Sequence, residues 1–222
     1  MKNDESKSDD FYPSDVSLVL TNPSFGIRQE EAWASFQFRV MLHVGEGWAD
    51  SDYAEIGKME ALKFNRGVAE RSHSSLFSAF DEYMTETLEC YDVVFDENGN
   101  IRKEFQDPYY GVEDDLFEDF HILFRVELDE RYKGHGLVAH VTRIYLENFA
   151  NANDLVYVKA FPLQFEARRE PRPLARSFAG SFAACRSRLC KYYERIGFRR
   201  IGKTNHFFFV ADHFLSGRSA KD

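Results

Sequence analysis

Residues Phe120–Ala150 read F-H-I-L-F-R-V-E-L-D-E-R-Y-K-G-H-G-L-V-A-H-V-T-R-I-Y-L-E-N-F-A, and their reading decides the fold. Phe120 to Leu128 is short and rich in aromatic and branched residues, which predicts a strand. From Leu137 the apolar residues Leu137, Val138, Val141, Ile144, Tyr145 and Phe149 recur at helical spacing with one buried face. Between the two, Arg131, Gly134 and Gly136 form R-x-x-G-x-G. Two glycines at the start of a helix let the backbone turn tightly and approach a ligand with no side chain in the way. The first helical amides have no internal partner and carry the positive end of the helix dipole, so the turn is suited to an anion such as phosphate.

A second stretch adds to this. Leu189–Phe198 reads L-C-K-Y-Y-E-R-I-G-F, a helix ending at Gly197, and R-R-I-G-K-T-N-H-F-F-F-V follows as strand. Together, V-E-L-D-E-R-Y-K-G-H-G-L (Val126 to Leu137) and Y-E-R-I-G-F (Tyr193 to Phe198) resemble the GNAT-type N-acetyltransferase family. Val126 stands five residues before Arg131, as that family's coenzyme A loop asks, and the second motif matches the helix-to-strand corner that carries its usual tyrosine. The resemblance covers roughly Asp119 to Asp212. It implies the α/β class, with a central mixed sheet flanked by helices in a GNAT-like acyl-CoA N-acyltransferase fold. It also implies acetyl-CoA as cosubstrate and a primary amine of a small molecule or protein as acceptor.

Carried over residue by residue, the backbone of Val126, Glu127 and Leu128 would hold the pantetheine arm and polarise the thioester carbonyl. Arg131, Tyr132, Lys133, Gly134, His135, Gly136 and Leu137 would wrap the pyrophosphate, with His135 replacing the usual aliphatic residue and pointing outward. Arg186, seven residues before Tyr193, stands where the family often has an asparagine and is counted on the coenzyme side. Tyr193 is the candidate acid for the leaving thiolate, since a tyrosine with an ordinary pKa of about 10 is protonated at neutral pH. Its four-residue offset from Gly197 singles it out over its neighbour Tyr192. Asp119 and His121 are the candidates for a base, and alternation sets both opposite Phe120, Ile122 and Phe124. For His121 a structural role in the core weighs somewhat more than catalysis. Transfer of another acyl group, or an acyl-CoA-binding module without turnover, remain alternatives.

The rest of the chain bounds the answer. At 222 residues, with 22 Phe and 11 Tyr, it can bury a full core. We expect a disordered tail over 1–10 and one domain over 11–215. The first residues M-K-N-D-E-S-K-S-D-D carry no apolar segment, and no run approaches the ~20 residues needed to span a bilayer. Three cysteines, Cys90, Cys185 and Cys190, suggest a reducing cytoplasm rather than a disulfide framework, and no metal-ligand spacing occurs. A net charge of −9 disfavours nucleic acid. The charge is uneven: residues 81–130 hold 17 Asp or Glu against 3 Lys or Arg, and residues 161–203 hold 11 Lys or Arg against 3 Glu. A basic segment suits the coenzyme phosphates, and an acidic one a cationic acceptor. A homodimer is compatible with this surface.

Strands are expected at Val16–Leu20, Trp33–Val44, Tyr53–Asn65, Leu155–Phe161, Phe198–Gly202 and His206–Ala211, with a little strand over Val93–Phe95. One amphipathic helix is expected over Ser72–Tyr91, capped by Ser72 or Ser74, and another from Ser181 to Gly197. The D-E-N-G-N stretch (Asp96–Asn100) reads as a turn, and residues 107–119 as loop or short helix. The helix pair that the family usually has between its first two strands is not visible.

Overall fold

A computed structural model describes residues 15–21, 24–25, 32–44, 53–71, 75–81, 85–103, 117, 119–162 and 181–211. Its strands are β1 Val16–Leu20, β2 Ser24–Phe25, β3 Trp33–His43, β4 Tyr53–Asn65, β5 Asp119–Leu128, β6 Leu155–Lys159, β7 Arg199–Arg200 and β8 His206–Val210. The helices are α1 Arg66–Arg71, α2 Leu76–Asp81, α3 Thr85–Val94, α4 Leu137–Phe149 and α5 Phe182–Arg195. The sheet runs β1-β3-β4-β5-β6-β8-β7, with β2 on β3. Every pairing is antiparallel except β5 with β6, where helix α4 makes the crossover. The protein is therefore a mixed α/β sheet flanked by helices, as the sequence predicts. The expected tail (1–10), the cap candidates Ser72 and Ser74, and residues 107–116 and 118 of the stretch read as loop or short helix lie outside the described residues.

Each face of the sheet carries its own core. On one, α4 and α5 cover Phe36, Phe38, Val40, Val156, Val158, Phe207 and Phe209. Tyr145 and Phe149 of α4 sit 5.8 and 5.4 Å from the Phe38 ring. On the other, α1, α2 and α3 cover Trp33, Phe64, Phe120, Tyr157 and Phe208. The Trp33 indole N–H donates to the Ala79 carbonyl at 2.7 Å, so this ring keeps a partner inside an aromatic core. Burying each phenylalanine contributes about 1.5–3 kcal/mol, which makes two aromatic layers a sufficient driving force.

Three local expectations need correction. The helix expected over Ser72–Tyr91 is two helices: the Thr87 hydroxyl donates to the Phe80 carbonyl. On one straight helix these residues would be about 10 Å apart along the axis, so α3 turns back on α2. The cap is Ser75, whose Oγ accepts from the Ser78 amide at 3.0 Å. Val93 and Val94 close α3 rather than forming a strand, and Phe95 alone bridges Ile101 across the turn.

One irregularity sets the geometry of the centre. Along β4 the consecutive residues Glu60 and Ala61 face Arg125 and Leu123 of β5, leaving Phe124 as an extra residue. Such a bulge shifts the alternation by one. His121 and Leu123 point toward α4, yet beyond the bulge it is Val126 and Leu128, not Arg125 and Glu127, that join that core. Past this point β4 approaches closely. A Cβ on Gly57 would fall 2.2 Å from the Glu127 carbonyl oxygen and 2.9 Å from Leu128 Cδ2. Gly57→Ala should therefore cost about 1–3 kcal/mol in urea denaturation. Gly67→Ala, where the new methyl meets the flexible Arg71 tip at 3.4 Å and Asn65 Oδ1 at an ordinary 3.6 Å, should be neutral or slightly stabilising. Equal effects of the two would mean the close approach at Gly57 is not a constraint.

Candidate functional site

Strand β6 pairs with β5 only from Phe120–Leu155 to Leu123–Val158. From Arg125 to Leu128, β5 pairs with β4 alone among the described residues, so the sheet is split between β5 and β6 at its centre. The chain leaves β5 at this end through Asp129, whose amide donates to the Ile56 carbonyl at 2.8 Å, and a single 3-10 turn over Glu130–Tyr132. It then enters α4 through Gly134 and Gly136, with φ of 91° and 76°. Both are in the left-handed region that glycine adopts without cost. A Cβ on either would meet nothing within 4 Å among the described residues, which leaves the turn clear of them. The amides of Leu137 and Val138 make no hydrogen bond among the described residues; the first amides to turn inward are Ala139 and His140, both to the Gly136 carbonyl.

The residues expected to bind the coenzyme thus gather around the open end of β5. Val126 and Leu128 line it from the core side, and Tyr132 and Leu137 are buried anchors. Arg131 lies over the Tyr132 ring at 4.6 Å, Lys133 pairs with Glu130 at 3.7 Å, and His135 is exposed, as expected. Glu127 is half-buried. Arg186 is placed elsewhere: it lines a cavity of about 200 Å³ with Cys190, Lys191, Glu194 and Arg200.

Tyr193 packs on Phe198 and Phe207 at 5.3 and 5.5 Å, and Phe207 pairs with Val158, the last β6 residue joined to β5. It therefore stands over the α4 side of the split. Burial pushes its phenol up, so it stays protonated. The offset that singles it out also has a structural cause. The Phe198 amide donates to the Tyr193 carbonyl at 3.0 Å, the Gly197 amide to Glu194 at 3.3 Å, and the two rings touch. This is a glycine-based helix stop with its hydrophobic contact. The hydroxyl of Tyr192 is buried beside the Ala139 backbone.

His121 and Asp119 belong to the opposite end of β5. His121 is fully buried, 2.9 Å from Tyr145 Oη through Nδ1 and 2.9 Å from Asp154 Oδ2 through Nε2. A carboxylate only accepts, so Nε2 carries the hydrogen and Nδ1 accepts from the tyrosine. Asp119 is 2.9 Å from Lys63 Nζ, which also donates to the Phe149 carbonyl at the end of α4 at 3.0 Å. Asp154 accepts from the amides of Asp119 and Asn151 at 3.1 and 2.8 Å. Burial pushes the His121 pKa below its ordinary value, against the pull of Asp154. Burial opposes the Asp154 charge, but His121, the Asn151 amide and Lys63 outweigh it and hold its carboxyl low. With both ring nitrogens engaged and no exposure, His121 ties β5, β6 and α4 together. Neither Lys63 nor Asp154 stands out in the sequence. Their partners are 56 and 33 residues away, by Lys63–Asp119 and His121–Asp154.

No family model, no curated protein and no solved structure matches the chain. Among the described residues no helix is long and apolar enough to cross a membrane.

The network makes stability depend on pH. Because folding lowers the His121 pKa from its ordinary 6.5, the unfolded chain takes up the proton first. The contribution is complete above about pH 6.5 and declines as pH falls below it. Asp154, also lowered, adds a second loss below its ordinary 3.8. The urea midpoint should be lower at pH 5 than at pH 7.5, and His121→Asn should shrink that difference. His206, shifted the same way, supplies a further part. An undiminished difference in His121→Asn would remove His121 from this account.

Proposed function

We propose that the chain is an acyl-CoA-dependent N-acyltransferase of the GNAT type that moves an acetyl group to a primary amine. One observation carries the reading. The split between β5 and β6 opens beside the turn over Arg131–Gly136 and the unpaired first amides of α4. An extended thioester-bearing arm fits along the part of β5 that has no strand pairing on its β6 side among the described residues, and a pyrophosphate fits the positive end of a helix whose entrance is clear of described residues. Of the two motifs that resemble the family, the first, Val126–Leu137, lies on these two features. In the reaction, the backbone of Val126–Leu128 positions the thioester carbonyl beside the split, and holding both reactants there supplies several kcal/mol of the barrier reduction. Tyr193 returns a proton to the departing sulfur from the α4 face.

The helix stop at Gly197 supports a second reading, a coenzyme A-binding module without turnover. It gives Tyr193 a structural reason to be where it is.

One variant tests the coenzyme site that both readings share, and a second separates them. Gly136→Val places a branched side chain at a φ of 76° in the space needed by the phosphates. It should abolish acetyl-CoA binding by calorimetry, with circular dichroism close to wild type. Unchanged affinity in the folded variant would contradict the proposed site. Tyr193→Phe should lower turnover by about 10²–10⁴-fold with little change in acetyl-CoA affinity, while Tyr192→Phe matters less. Binding with no amine acetylation in the wild type would favour the module.

A further inference from the structure

The reaction needs a group that takes a proton from the amine, and neither His121 nor Asp119 lies at the split. A split in a sheet opens to both faces. Helices α4 and α5 and Tyr193 occupy one. On the other, α3 lays Glu89 over the end of β6, where Lys159 Nζ donates to both its carboxylate oxygens at 2.7 and 2.6 Å. Lys159 follows Val158 directly, so it stands one residue beyond the last β5–β6 pair. Alternation puts its side chain with that of Tyr157 on the α3 face. Strand β8 pairs His206 with Lys159. His206 Nε2 is 3.8 Å from Glu89 Oε1, and its Nδ1 is 2.5 Å from the Tyr157 hydroxyl.

We propose that Glu89 and His206 form the amine side of the site, binding a primary aliphatic ammonium and removing its proton, with Tyr157 as the positioning residue for the imidazole. The proposal rests on the acyltransferase reading. Glu89 already holds one primary ammonium, that of Lys159, and its side chain remains 41% exposed, enough to take a second. At 3.8 Å, Glu89 Oε1 and His206 Nε2 are close enough for one ammonium nitrogen to donate to both. Burial pushes the His206 pKa below its ordinary value, opposed by Glu89 and aided by Lys159, so the ring is neutral and able to accept. Burial, with Cys90 and Glu89 nearby, pushes the Tyr157 phenol up, so it stays protonated. The step uses the tautomer in which Nδ1–H donates to the Tyr157 oxygen, so that the Nε2 lone pair is on the Glu89 side.

The step balances. An ammonium proton passes to Nε2, and the nitrogen lone pair forms the C–N bond at the thioester carbon from the α3 face. The C–S bond breaks toward the α4 face. The second nitrogen proton ends on sulfur by way of Tyr193, and the first leaves His206 for solvent.

The test uses thiol release from acetyl-CoA with whichever primary amine of a panel the wild type acetylates fastest. With a built-in base, wild-type kcat/KM for the amine is level between the titration of His206 and that of the amine. In His206→Gln it should fall by about 10²–10⁴-fold and climb tenfold per pH unit, because only amine already neutral reacts. Acetyl-CoA affinity should not change. Glu89→Gln, on an exposed helix position, should raise KM for the amine with the coenzyme still bound. A level profile in His206→Gln, a loss of rate without the new slope, or an unchanged KM in Glu89→Gln would overturn the assignment. Should His206→Gln not fold, the Glu89→Gln KM alone decides. A wild type that binds no acetyl-CoA, or acetylates no amine, fails the acyltransferase reading itself and the inference with it.

Discussion

One extra residue in β5 governs the centre of this protein. Phe124 has no partner on β4, and the residues after it exchange faces. Without it, Arg125 and Glu127 would point into the core under α4, where two charged side chains cannot be accommodated without partners. With it, Val126 and Leu128 fill that core, and pairing with β6 ends one residue earlier, at Leu123. The bulge thus keeps the core apolar, and it falls where the pairing of β5 with β6 ends among the described residues. Gly57 lets β4 follow the displaced strand closely enough to stay paired with it.

Helix α4 links this opening to a buried polar network at its other end. Its last carbonyl accepts from Lys63, Tyr145 from its third turn donates to His121, and Asp154 at the start of β6 joins both. A cation at a helix C-terminus and an anion at its N-terminus favour the same dipole, so Lys63 at one end is consistent with an anion at the other. The network is costly to desolvate, and removing one member of such a set typically costs about 3–5 kcal/mol because the remainder is left uncompensated. Its effect is positional: it fixes the ends of β4, β5 and β6 against α4.

Much of this was legible because it is local. A strand, a two-glycine turn and a helix follow one another within Phe120–Ala150, and each is set by neighbours in the chain. The face exchange at Phe124 was not legible, since alternation in a single strand carries no sign of a bulge in its pairing. The break between α2 and α3 was hidden for a related reason: Phe80 and Thr87 fit one helical stripe on paper, but a hydroxyl-to-carbonyl bond brings them together in space. The polar groups were hardest to read. Lys63 with Asp119, His121 with Asp154 and Glu89 with Lys159 are joined across more than thirty residues by the order of strands, which no spacing in the sequence encodes. Tyr193 is the reverse case: the four-residue offset from Gly197 that draws attention to it is also what a helix stop demands.

On the acyltransferase proposal, the split beside β5 receives the coenzyme arm and the first turn of α4 its phosphates. Amide hydrogen exchange with and without acetyl-CoA tests it most directly. The account predicts new protection confined to Arg125–Val138 and the facing end of β6, with little change at Lys63, His121 and Asp154, which are already held by their network. No protection over Arg125–Val138 at a saturating concentration, or protection centred elsewhere in the chain, would contradict it.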